Sequence, residues 1–178
     1  SVTQPDQLAA KTVNTPSDGA ERSVTNQIFL VASNEPTGEL DHFYVQADHA
    51  YVLAGSSVHI SAAAIDTHYI PMEERYELET SDGELTGDTL VTPRSGGEIT
   101  VTAYNGHSQG ETTIHAIANP TAVAIRDASS AIIQTLTAAP GATVKLTGSA
   151  SWNHVSLKAD PEAFDWTVEG GIGTVDPL

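Results

Sequence analysis

The sequence has no cysteine, few basic side chains, almost no helical periodicity and no long apolar run. Each absence removes a class of answer. Without thiols there is no disulfide framework, no thiolate metal site and no cysteine nucleophile. Lysine and arginine total 7 against 23 acidic residues, a formal net charge of −16. Nucleic acid is therefore a poor partner, because its phosphates must be neutralised by Lys and Arg. An anionic membrane face is disfavoured for the same reason. No run approaches the roughly 18 apolar residues of a membrane helix, so membrane insertion is not expected, and no signal-peptide pattern is present. The chain opens on Ser1, as expected of a processed or excised piece.

What is there is β-structure. Short runs rich in β-branched and aromatic residues recur between Gly, Pro, Asn and Asp clusters. They fall at 27–33, 42–47, 57–64, 98–104, 112–118, 121–127, 143–150 and 164–170. In "EITVTAY" Ile99, Val101 and Ala103 alternate with Thr100, Thr102 and Tyr104. Val58, Ile60, Ala62 and Ala64 alternate with His59, Ser61 and Ala63 in the same way. Such alternation marks antiparallel sheets with one buried face. The fold class expected is all-β.

Aligning the glycines exposes an internal repeat. In each copy a strand and an apolar run precede Gly55 or Gly141, and a long alternating strand follows. "YELETSDGELT" then lies opposite "DWTVEGGIGTV", and "ANPT" (118–121) joins the copies. Strands at this spacing predict β-sandwiches. The domains expected are 1–38, a tail plus linker; 39–118, a first sandwich; and 119–178, a second. The copies are unequal. The first continues 40 residues from Leu78 to Ala118 and the second 12 from Trp166 to Leu178, so 40 − 12 = 28 positions lack a counterpart. The second sandwich is expected to be truncated, with an exposed strand edge open to strand-mediated self-association.

Two resemblances add to this reading. The "GSSVHISA" strand, the "SDGEL" turn and the closing "SGGEITVTAYNG" resemble the bacterial Ig-like modules of surface proteins. That likeness covers most of 40–178 and bears on fold, not function. The stretch "TVNTPSDGAERSVTNQIFLV" is similar to the closing segment of the phosphodiester glycosidase family, which removes N-acetylglucosamine from a phosphodiester. The matching positions are Asn14, Pro16, Ser17, Asp18, Gly19, Arg22, Val24 and Asn26. The family's glycine-rich Asp-Gly-Gly-Gly-Ser stretch is not in this chain. The resemblance therefore implies the tail of a catalytic domain followed by Ig-like repeats.

For chemistry the residues offer little that is self-sufficient. A sugar phosphodiesterase needs a cation for the phosphate and a carboxyl group for proton transfer. In a parent enzyme Arg22 suits the first role, since guanidinium pairs bidentately with phosphate, and Asp18 the second, or else it holds Arg22 in place. Both are equally well read as parts of a solvated Asp-Gly turn. The seven histidines form no H-E-x-x-H pattern, and His59 and His115 read as solvated on polar strand faces. The scattered carboxylates form no EF-hand loop, and neither a metal nor a cofactor is expected. Trp166 sits where a sandwich places a core aromatic. Trp152, expected in a loop, is the better candidate for stacking on a sugar.

The function expected is a non-catalytic C-terminal region of an exported phosphodiester glycosidase-like enzyme, extracellular or at the cell surface. Its Ig-like modules would serve as a spacer or as an accessory binding a surface glycan or cell-wall polysaccharide. The alternatives are a surface adhesin or stalk without an enzymatic parent, and a carbohydrate-binding module centred on Trp152.

Overall fold

A computed structural model describes residues 6–14, 22–30, 36–170 and 173–176. The described residues form β-strands and one short 3₁₀ turn, with no α-helix among them. The chain is all-β. It divides into two units: residues 1–41 with 65–72, and residues 42–64 with 73–178.

In the first unit β1 (Asp6–Asn14) pairs antiparallel with β2 (Arg22–Leu30), from Asp6 opposite Leu30 to Asn14 opposite Arg22. Strand β2 starts five residues before the apolar run that signalled it. Strand β1 was not legible, because "DQLAAKTVN" has no clean alternation and is pulled extended by its partner. The Pro-Ser-Asp-Gly turn lies outside the described residues. A second feature of this unit is Asp66, whose side chain is fully buried. Its carboxylate accepts the backbone N–H groups of Thr37, His68 and Ile70, each at 2.8 Å. Burial pushes this carboxyl up, but the donors from Ile70, Thr37 and His68 outweigh it and hold it below the ordinary 3.8.

The other strands are β3 (Leu40–Ala47), β4 (Tyr51–Leu53), β5 (Ser57–Asp66), β6 (Pro71–Met72), β7 (Glu77–Thr80), β8 (Glu84–Thr86) and β9 (Thr89–Val91). After them come β10 (Gly97–Tyr104), β11 (Gln109–Ile117), β12 (Ala122–Arg126), β13 (Thr147–Trp152) and β14 (Val155–Leu157). The first repeat makes two sheets, in the orders β3-β5-β9-β8, with β6 beside β5, and β4-β11-β10-β7. Strand β4 runs parallel to β11, and β10 runs antiparallel to both β11 and β7.

The alternation seen in the sequence sets the core. Val58, Ile60 and Ala64 of one sheet and Ile99, Val101, Ala103, Ile114 and Ala116 of the other are buried. Phe43, Val45, Val52 and Leu90 join them, giving the sandwich-like layering expected of two one-sided sheets. Gly110 shows how closely the layers approach. A Cβ there would sit 1.7 Å from the carbonyl oxygen of Phe43, so no side chain fits. Pro93–Gly96 is a turn, with Gly96 N–H donating to Pro93 O at 3.0 Å and Gly96 at φ 69°, and Gly97 opens β10.

The second repeat forms one antiparallel sheet, β12-β13-β14. Its register places Val123 opposite Ala150, Ile125 opposite Gly148, Ala150 opposite Leu157, and Trp152 opposite Val155. Directly opposed residues share a face, so these seven make a wholly apolar one. Two expected strands differ from expectation. The run 143–150 pairs only from Thr147 onward, and 164–170 is not a strand.

Candidate functional site

Of the three site residues expected from sequence, Asp18 lies outside the described residues. Arg22 opens β2 opposite Asn14. Trp152 is placed differently from expectation, since it closes β13 rather than standing in a loop. The turn that follows uses Asn153 at φ 47° and His154 at φ 68°, the mirror-image backbone favoured by two-residue hairpins. Pairing with Val155 then fixes the Trp152 backbone in the ladder.

The indole is half-buried and packs on a cluster of Leu53, Ala150 and Leu157, with Ile117, Ala163 and Phe164 around it. Its ring also stacks on Tyr51, with centroids 6.0 Å apart and planes 21° apart. Tyr51 in turn stacks on His115 at 4.7 Å and 17°. His115 is therefore not the solvated imidazole its polar neighbours suggested: Tyr51 covers a face, and its Nδ1 lies 3.7 Å from Glu98 Oε2. Leu53, Tyr51, Ile117 and His115 belong to the first repeat, and the other members to the second. Trp152 thus sits in a junction between the two copies.

The polar half of that junction is more specific. The backbone N–H of Leu53 donates to Lys158 O at 2.8 Å, and Val52 bridges Lys158 in parallel. Asp160 Oδ2 accepts the Ser57 N–H at 2.7 Å and the Ser57 hydroxyl at 2.6 Å. Asp160 N–H donates to the buried Ser56 Oγ at 3.0 Å. Lys158 Nζ reaches Ser57 Oγ at 3.0 Å, Asp160 Oδ1 at 2.7 Å and the Ser57 carbonyl. Behind them, Ser56 O accepts the Thr92 hydroxyl at 2.9 Å and the Thr92 N–H at 3.0 Å. Arg94 adds an ion pair to Asp165 at 3.3 Å and a bond to Glu162 O. The linker is tied in as well, because Thr121 Oγ1 donates to Ser151 O and accepts from Asn153 N–H, each at 3.1 Å.

Serine, lysine and aspartate in contact invite a catalytic reading, but the donor pattern opposes it. The Ser57 hydroxyl gives its proton to Asp160, and Lys158 is spent as a donor to Ser57 and Asp160. A nucleophile needs a base free to take its proton. Burial pushes the Asp160 carboxyl up, yet the hydrogen bonds from Lys158 and Ser57 outweigh it and leave it below 3.8. Such a charge-assisted cluster clamps two surfaces together. Among the described residues there is no group of three or more metal-ligating side chains and no helix long and apolar enough to cross a membrane.

Sequence reasoning singled out Trp152 for sugar stacking rather than for this junction, and it missed Ser57, Arg94, Lys158 and Asp160. Ser57 and Asp160 are 103 positions apart, so no motif spacing links them. No protein-family model matches the chain, and no curated protein matches it.

Proposed function

We propose that residues 42–178 are a non-catalytic spacer built of Ig-like repeats, whose task is to hold what precedes and follows them at a fixed separation. The observation that carries this is the junction: apolar packing, an aromatic stack and a lysine–aspartate clamp join the two copies where a free linker would suffice for mere connection. Inter-domain relative motion is the default unless an interface is well built. The Ig-like assignment is supported by strand order. With the short strands β4 and β6 set aside and the rest lettered in sequence, β3-β5-β9-β8 reads A-B-E-D and β11-β10-β7 reads G-F-C, the strand order of the two sheets of a constant-type Ig sandwich. In the second repeat β12 again pairs with the strand after the glycine, as β3 pairs with β5.

The enzymatic context is carried by the resemblance around Asn14–Asn26 alone. On that reading the spacer follows the catalytic body of an exported sugar-phosphodiester glycosidase at the cell surface. Arg22 and Asp18 would serve that body, with surface glycan as the material acted on. The test is direct. The purified chain should release no N-acetylglucosamine from a phosphodiester substrate, because an active site needs converging groups from several elements. In the complete enzyme, Arg22→Ala should lower turnover about a hundredfold, the cost of one lost contact to a reacting charge, without lowering the melting temperature. Release by the chain alone, or full activity of the variant, would contradict it.

A further inference from the structure

The second repeat is paired in some places and bare in others, and the pattern is selective. Counting from the turn glycine, Ser57–His59 of the first repeat correspond to Thr143–Lys145 of the second. In the first repeat those residues pair with β9, Ser57 opposite Val91 and His59 opposite Thr89. In the second they are extended but lie in no strand. Likewise β7 pairs with β10, from Glu77–Tyr104 to Thr80–Val101, whereas its counterpart within 164–170 is in no strand. The ladders that both copies share, β3-β5 with β12-β13 and β5-β6 with β13-β14, have both partners within the first half of the repeat.

Burial follows the same division. Val58 and Ile60 are 1% and 2% exposed, while their counterparts Val144 and Leu146 are 39% and 36% exposed. On the apolar face of the second sheet, Ala150 and Leu157 are covered by the junction. Gly148 meets the Phe164 ring, 2.8 Å from where its Cβ would be. Val123, Ile125 and Val155 on that same face remain 60%, 43% and 49% exposed. In the first repeat the facing layer is β10 and β11, with Ile99, Val101, Ala103, Ile114 and Ala116 turned inward. Every bare segment is one whose first-repeat partner is β9, β10 or β11, and those three have no counterpart among the described residues.

We infer that the bare face of β12-β13-β14 and the bare edges at 143–146 and 164–170 receive three strands of the same polypeptide, carboxy-terminal to Leu178. The first pairs with Thr143–Lys145 as β9 pairs with β5. The other two form a hairpin with alternating apolar residues, one strand pairing with 165–168 and both covering Val123, Ile125, Val144 and Leu146. This rests on the repeat reading above, though not on the spacer role. The occupant is specified by pairing as well as by apolarity, which distinguishes it from a sticky surface.

The experiment reads the gene past the Leu178 codon and compares the 178-residue chain with the chain extended by about 30 residues, using native amide hydrogen exchange. The extension should show two alternating apolar runs separated by a short turn. It should raise protection at 143–146 and 165–168 at least about a hundredfold, to the level of 99–103. A stop codon at that point, an extension without alternation, or unchanged protection at those amides would each overturn the inference. Protection that rises with concentration of the 178-residue chain alone would name a second copy as the occupant and overturn it too. The spacer reading is tested separately, by protection at Leu53 and Asp160 in the unextended chain: its loss would sink the junction and leave the strand assignment standing.

Discussion

Asp160 Oδ2 accepts both the backbone N–H and the hydroxyl of Ser57, at 2.7 and 2.6 Å, across 103 positions of sequence. With Lys158 on the same carboxylate at 2.9 Å, the pair fixes where the segment after β14 sits relative to the strand that follows Gly55. Asp160→Ala removes the acceptor, leaves the Ser57 donors unpaired and strips Lys158 of its counter-charge. The expected loss is about 2 kcal/mol, in the range of hydrogen bonds to a charged group. Urea denaturation of the variant against the parent chain measures it. Asp160→Asn should recover part of the loss, since it keeps an acceptor oxygen.

The same carboxylate gives the junction a pH dependence. Its folded-state pKa lies below the ordinary 3.8: burial raises it, but the bonds from Lys158 and Ser57 lower it further. Its contribution is therefore complete above the unfolded value and is lost as pH falls through the folded one. Stability should be level from neutral pH down to about 5 and fall below about 4. Asp66 adds to the fall, being lowered by its backbone donors. In Asp160→Asn the acid limb should be shallower, which a thermal melt series at low pH resolves.

Tyr104 provides a signal at the opposite end of the scale. Its hydroxyl lies 2.8 Å from Glu79 Oε1 and 3.0 Å from Glu77 Oε2. The bond to Glu79, then that to Glu77, pushes its pKa up to about 12. Here the sign is reversed: the contribution is present below the ordinary 10.0 and is lost as pH rises through about 12. An ultraviolet titration of the five tyrosines should show one ionising last, near 12. Glu79→Gln should bring it down, and an unchanged titration would show that the contact does not persist in solution.

Gly110→Ala tests the approach of the two layers in the first repeat. The added Cβ would lie 1.7 Å from Phe43 O and 2.6 Å from its carbonyl carbon. Strand β3 must move, which costs about 3 kcal/mol or more, at or beyond the usual range of overpacking. Gly87→Ala serves as the control, because no atom lies within 4 Å of its would-be Cβ, although its φ of 61° adds modest backbone strain.

Much of the fold was legible because alternation is a local property. Val58–Ile60 and Ile99–Val101–Ala103 each declare a buried face within five residues, and the structure buries them. Gly55 and Gly141, the glycines on which the two copies align, share a positive φ of 89° and 80°. The misses are non-local. "TVKLTGSA" alternates as well as "SVHISAAA" does, but pairing needs a neighbouring strand, and Thr143–Leu146 have none among the described residues. His115 and Trp152 read as a solvated imidazole and an open indole because Tyr51, which stacks on both, is remote in sequence from each. The clamp residues carried no signal, since a serine at the start of a strand and a lysine and aspartate after one are ordinary until folding brings them together.

The central claim is that the two repeats move as one body. The chain is free of cysteine, so spin labels at Thr86→Cys and Ala128→Cys, both exposed, report the distance between the repeats without competing thiols. Pulsed electron–electron resonance on that doubly labelled chain should give a single narrow distance distribution, broadened by Asp160→Ala combined with Trp152→Ala. A broad distribution in the parent chain, unchanged by those substitutions, would mean that residues 118–121 act as a free hinge and would contradict the account.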